Sequence, residues 1–315
     1  MRRYCLLFFF LFALTASATQ AQTLRSAGDY LHRGFCRFAK GDLDGAIADY
    51  DRAIENEPRG ASNSFDHSDA RSGRRNLKEV IVNRGRSVAI IPLAAAAYHN
   101  RGLALQAKKD LDGAIADFGM AIDLSPSFAE GYFCRGTARY HKGEVQEAIA
   151  DLTRAIEIHP GYAMAYVNRG NARKARGEVD AAFDDYNRAI QLDPRLSLAY
   201  NNRGVIRFTR GDFDLAIADY DAAIKLNSRL AEAYNNRGAA WQAKGDLGRS
   251  LADYDRAIAI DPRFALARVN RGLLRLTQGQ DAEAEKDFAD YVALGKSIEP
   301  ALEEMIKAAK TRRAH

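Results

Sequence analysis

Two residue types recur along this chain at spacings that invite chemistry. Arginine stands at Arg33, Arg101, Arg135, Arg169, Arg203, Arg237 and Arg271, and aspartate follows sixteen residues later at Asp49, Asp117, Asp151, Asp185, Asp219, Asp253 and Asp287. A guanidinium forks onto a carboxylate through two parallel N–H···O bonds, each stronger than a neutral hydrogen bond. Directly before the arginines stand Asn100, Asn168, Asn202, Asn236 and Asn270, with His32 and Cys134 in the other two places. An amide side chain both donates and accepts, which matches one peptide unit without reading its side chain.

Bond-making chemistry has no such signature. His32, His67, His99, His141, His159 and His315 fall in separate segments, without H-E-x-x-H or C-x-x-C spacing, so neither a metal nor a cofactor is expected. A P-loop and a nucleophile elbow are both missing. Close acids such as Asp49 and Asp51 recur with the same period, which marks structural or solvated carboxylates rather than a general acid–base pair. No catalytic residue is assigned, and an enzyme is not expected.

The elements that position these residues repeat every 34 residues. Asn-Arg-Gly recurs at 100–102, 168–170, 202–204, 236–238 and 270–272, giving repeats 27–60, 95–128, 129–162, 163–196, 197–230, 231–264 and 265–298. Each repeat reads as two helices. In 231–264, Tyr234, Gly238 and Trp241 share one face of the first; Gly245 ends it, Asp246 caps the second, and Pro262 stops that. Glycine holds repeat position 8 in all seven copies and position 15 in six, Lys109 being the exception. Glycine inside a helix costs up to ~1 kcal/mol against alanine, so its periodic use implies close helix approach and turn termination.

Composition bounds the rest. The 315 residues are 47% hydrophobic and 28% charged, enough to bury a core. A net charge of +5 is too small to imply a nucleic-acid partner, and three cysteines do not make a disulfide scaffold. Arg2 and Arg3, the apolar run Leu6 to Leu14 and the small residues Ala16 to Ala21 read as a signal peptide over 1–21, with Ala18 a second cleavage point. As an uncleaved anchor the run falls short of the ~20 residues that span a bilayer. The mature chain is expected to lack a membrane span and to be exported, periplasmic or secreted.

Tyr30, Tyr98, Tyr132, Tyr166, Tyr200 and Tyr234 at position 4, Gly at 8, small residues at 20, aromatics at 24, Ala at 27 and Pro at 32 resemble the tetratricopeptide repeat, in an exported bacterial type rich in Asn-Arg-Gly. The resemblance implies an all-α solenoid of seven helix pairs forming a right-handed superhelix, whose first helices line a concave groove. Residues 22–60 are an N-terminal extension with repeat 1, 95–298 hold repeats 2 to 7, and 299–315 are a capping helix and basic tail. Ile298, Leu302 and Ile306 give that cap its apolar face. The insert 61–94 has the length of a repeat without its pattern: Ala61 to Arg75 reads as a loop, and Val80 to Gly85 as a decayed first helix or part of a binding loop.

By the same resemblance Arg101 with Asp117, Arg169 with Asp185, Arg203 with Asp219, and Arg237 with Asp253 are expected to meet across the helix seam. The asparagines at position 6 are expected to face the groove, as in the asparagine ladders by which some such repeats hold an extended polypeptide. Phe35, Phe133, Tyr140, Asn171 and Phe208 are expected to line it. Positions 5 and 9 carry no lysine or arginine, and Lys174 alone is basic at position 12, so a carboxylate clamp is not expected. The function implied is a non-enzymatic scaffold for a peptide or partner protein; the alternatives are an accessory subunit that makes contact through 61–94, and a polysaccharide binder using exposed aromatics.

Overall fold

The computed structural model describes residues 26–56, 79–84 and 87–312. The leader expected over 1–21 and the loop expected over Ala61 to Arg75 lie outside the described residues. Seven helix pairs follow the period: α1 (Ala27–Lys40) with α2 (Leu43–Glu55), α3 (Leu93–Ala107) with α4 (Leu111–Leu124), and α5 (Ala129–Lys142) with α6 (Val145–Ile158). Then come α7 (Ala163–Ala175) and α8 (Val179–Leu192), α9 (Ser197–Thr209) and α10 (Phe213–Leu226), and α11 (Ala231–Ala243) and α12 (Leu247–Ile260). The series closes with α13 (Ala265–Thr277), α14 (Asp281–Ala293) and α15 (Pro300–Arg312).

The chain divides into two compact units, residues 1–176 and 177–315. In the first, each helix from α1 to α7 packs on the next, and α1, α3, α5 and α7 touch in succession. In the second, α8 to α14 do the same, α9, α11 and α13 touch in succession, and α15 packs on α13. Contact limited to sequence neighbours is the mark of a repeat array, in which each pair covers the apolar face of the pair before it. Around α15, Leu276, Ala284, Phe288 and Ala309 form a buried cluster with Ile298 and Ile306 packed against it.

One expectation is corrected. Between α2 and α3 the chain forms an antiparallel hairpin, β1 (Glu79–Arg84) with β2 (Ser87–Pro92), paired from Glu79↔Pro92 to Arg84↔Ser87. Val80 to Arg84 is therefore strand and not a decayed helix. Val80, Ile81, Val82, Val88, Ile90 and Ile91 are β-branched; they lose side-chain freedom in a helix and favour a strand. The Asn-Arg-Gly triplet alone does not overcome that preference.

In six repeats, at Gly34, Gly102, Gly136, Gly204, Gly238 and Gly272, the seam between first and second helix is tight because position 8 has no side chain. A methyl group on Gly238 would stand 2.8 Å from Tyr254 Cε1, and one on Gly102 would stand 2.8 Å from Phe118 Cε1. Ala46, Ala114, Ala148, Ala216 and Ala284 at position 20 are wholly buried against the same seam. Position 15 turns the chain from one helix to the next in the left-handed region, where six copies use glycine and Lys109 sits at φ 68°. A side chain there costs about 1–2 kcal/mol.

Two outcomes follow. Lys109→Gly should raise stability by about 1 kcal/mol, and Gly143→Ala should lower it by a similar amount, read as urea midpoints at constant m-value. Burial pushes the Tyr254 phenol up to about 12 from its ordinary 10.0, and moves Tyr50 and Tyr220 in the same direction. The folded state thus holds these protons more tightly than the unfolded chain. Their contribution is complete below pH 10.0 and drains as pH climbs through the folded values. The melting temperature should fall steeply above that pH, and less steeply in Tyr254→Phe.

Candidate binding surface

The arginine at position 7 lies on a first helix and the aspartate at position 23 on the second, and in six repeats the tight seam brings them face to face. Arg101 donates from Nε and Nη2 to Asp117 at 2.7 and 2.6 Å, Arg135 to Asp151 at 2.9 and 2.8 Å, Arg203 to Asp219 at 3.0 and 2.6 Å, and Arg237 to Asp253 at 2.8 and 2.7 Å. Arg33 and Arg271 fork in the same way onto Asp49 and Asp287. Arg169 donates to Thr153 Oγ1 at 3.3 Å, and Asp185 is buried on α8. The paired carboxylates hold the Arg101 and Arg237 guanidinium groups above the ordinary arginine range. In the six repeats with tyrosine at position 4 the guanidinium also lies over that ring, as for Arg101 over Tyr98 at 5.2 Å and Arg203 over Tyr200 at 5.5 Å.

Sequence reasoning missed two further partners. The third nitrogen, Nη1, reaches back to position 25 of the preceding repeat: Arg101 to Asp51 at 2.6 Å, Arg203 to Asn187 at 2.9 Å, and Arg237 and Arg271 to Asp221 and Asp255 at 2.5 Å. A second arginine, one helical turn on at position 11, joins the same carboxylate. Arg139 meets Asp151 at 2.7 Å, and Arg207 and Arg275 meet Asp219 and Asp287 at 2.8 Å. The signal was present as Arg spaced by four residues on one helix face.

The asparagines occupy a different face and differ among themselves. Asn100 is buried at 4% exposure, which sets it apart from Asn168, Asn202, Asn236 and Asn270, all half-buried. In the first unit Asn168 Nδ2 donates to Thr137 Oγ1 at 2.9 Å. In the second unit the amides form a relay through position 5. Asn270 donates to Asn235 at 2.8 Å, Asn235 to Asn236 at 3.3 Å, Asn236 to Asn201 at 3.1 Å, and Asn201 to Asn202 at 3.2 Å. Asn201 and Asn235 are the buried links, at 7% and 3% exposure.

The residues expected to line a groove also separate. Phe35, Tyr140, Asn171 and Phe208 are half-buried. Phe133 is not a lining residue: it belongs to the core, with its ring 4.8 Å from Tyr162. A phenylalanine at position 5 points into the contact between neighbouring first helices, where Val167 and Val269 are buried too. Among the described residues no cluster of His, Cys, Asp and Glu could hold a metal, and no helix is long and apolar enough to cross a membrane.

Family models described as tetratricopeptide repeat match residues 30–59, 61–129, 129–162 and 231–264, and one described as TPR repeat matches 170–209 and 206–245. The chain belongs to the tetratricopeptide repeat family. Among solved structures it is similar to a tetratricopeptide repeat protein from Parabacteroides merdae, with a TM-score of 0.64 at 18% identity over 90% of this chain and 98% of that one. It is similar also to the APC/C hetero-tetramer Cut9–Hcn1, with a TM-score of 0.63 at 18% identity over 68% of this chain and 42% of that one. At such identity the likeness is one of fold. No curated protein matches the chain.

The seam makes a graded prediction. Asp219→Ala removes the carboxylate shared by Arg203 and Arg207, whose side chains keep 16% and 19% exposure, leaves Arg203 its neutral bond to Asn187, and should cost about 3 kcal/mol in chemical denaturation. Asp253→Ala leaves Arg237 its bond to Asp221, and position 11 there is Trp241, so its cost should be smaller.

Proposed function

We propose that this protein is a non-enzymatic scaffold that holds an extended peptide segment along Asn202, Asn236 and Asn270 in its second unit. The observation that carries this reading is the half-buried amide file itself. An asparagine amide offers two N–H donors and two acceptor lone pairs. The relay uses one donor and one lone pair of Asn236, and one donor of Asn270, so each keeps capacity for a peptide unit. Nearby positions 9 and 12 contribute Val205, Ala239, Phe208 and Gln242, a lining without charge. Such a surface recognises backbone and tolerates varied side chains. Protein partners are what the family's fold supports in general. The leader expected over 1–21 places the partner in the cell envelope or outside the cell.

Each neutral hydrogen bond nets about 1 kcal/mol, so affinity comes from repetition. Replacing Asn202, Asn236 and Asn270 by alanine, singly and together, should weaken an extended peptide stepwise by about fivefold per site. The melting temperature should stay within a few degrees. Fluorescence anisotropy with labelled peptides reads the affinity, and undiminished binding in the triple variant would overturn the reading.

A further inference from the structure

The amide relay in the second unit has a direction. Between repeats, the donor always belongs to the later repeat: Asn270 to Asn235, and Asn236 to Asn201. Within a repeat, position 5 always donates to position 6: Asn235 to Asn236, and Asn201 to Asn202. Reversing any internal amide alone would set oxygen against oxygen at one contact and NH2 against NH2 at the other. The relay therefore turns as a whole, and each bond polarises the next. The links that impose this are Asn201 and Asn235, both buried beneath the file.

We propose that Asn201 and Asn235 are positioning residues that set the direction in which the second unit takes up an extended segment. This rests on the peptide-binding reading above. A polypeptide backbone is itself directional: its N–H and C=O groups follow in a fixed order along each edge. A file whose amides are all turned one way presents its remaining donors and acceptors in a fixed order too. A segment laid in one sense meets donor with acceptor at every repeat, and the reversed segment does not. Without the links the Asn236 and Asn270 amides lose the bonds that fix their turn, and the distinction disappears. Elsewhere in the chain position 5 is Leu31, Phe133, Val167 or Val269, which carry no polar side-chain atom, or His99, an imidazole rather than an amide.

The test uses the whole protein and an oligo-threonine peptide, whose sequence is the same read from either end. A donor dye is placed at Met305→Cys, an exposed position on α15 at the repeat-7 end, with Cys5, Cys36 and Cys134 replaced by alanine. An acceptor dye is placed on the N-terminus of the peptide in one sample and on its C-terminus in another. The native file should give strong transfer from one end and weak transfer from the other. Asn201→Val with Asn235→Val should give equal transfer from both ends and bind about tenfold more weakly. Valine is chosen because Val167 and Val269 already fill this buried position in repeats 4 and 7. Asn235→Val alone cuts the relay in the middle and serves if the double variant is unstable. Equal transfer from both ends in the native protein, or an unchanged preference in a folded variant, overturns the directional role while peptide binding stands. Failure of the native protein to bind the peptide at all overturns both.

Discussion

In every repeat one carboxylate is withdrawn almost completely from water. The position-23 aspartates are exposed by no more than 6%, while the six arginines forked onto them keep between 15% and 36% of their side-chain surface. An unpaired buried carboxylate is costly enough that the helices cannot approach without a cation in place. The glycine at position 8 makes the approach possible, and the guanidinium makes it tolerable. Arginine suits the place because its planar fork satisfies the carboxylate, leaves a nitrogen for a third partner, and lays its face on a tyrosine ring. Lysine would supply the charge without the geometry.

That third nitrogen turns a seam within a repeat into a joint between repeats. Bonds from Arg101 to Asp51 and from Arg237 to Asp221 tie a first helix to the second helix of the preceding pair. A parallel file of exposed pairs, Lys108 with Asp44, Lys142 with Asp112, Arg210 with Asp180 and Lys244 with Asp214, crosses the same boundaries nearer the solvent. Exposed pairs of this kind each contribute between zero and about 1 kcal/mol and weaken with salt. The half-buried forks hold the register, and the outer pairs trim it.

A stack with its spacing set in this way also sets the spacing of whatever its first helices display. Rigid display matters for a surface made of weak neutral bonds, because each side chain that must be ordered on binding subtracts from a gain of about 1 kcal/mol. The relay through Asn201 and Asn235 holds the position-6 amides in a fixed order. Position 6 supplies the half-buried amides, and position 5 decides how they are held.

The sequence by itself determined what depends on residues near one another or on strict recurrence. The 34-residue period, the two helices per repeat, the glycine turns and the alternation of arginine with aspartate at sixteen residues all follow from local propensity and from a pattern repeated seven times. Tertiary structure decided what depends on contacts across that pattern. Val80 to Arg84 carries a β-branched preference, and its pairing with Ser87 to Pro92 made it a strand although it runs into an Asn-Arg-Gly triplet. Phe133 went into the core because position 5 meets the next first helix. The bonds from Asn236 to Asn201 and from Asn270 to Asn235 span 35 residues, one more than the period. No periodic reading of a single position reveals them, because they join different positions in neighbouring repeats, and only the packing of one helix on the next brings those side chains within reach.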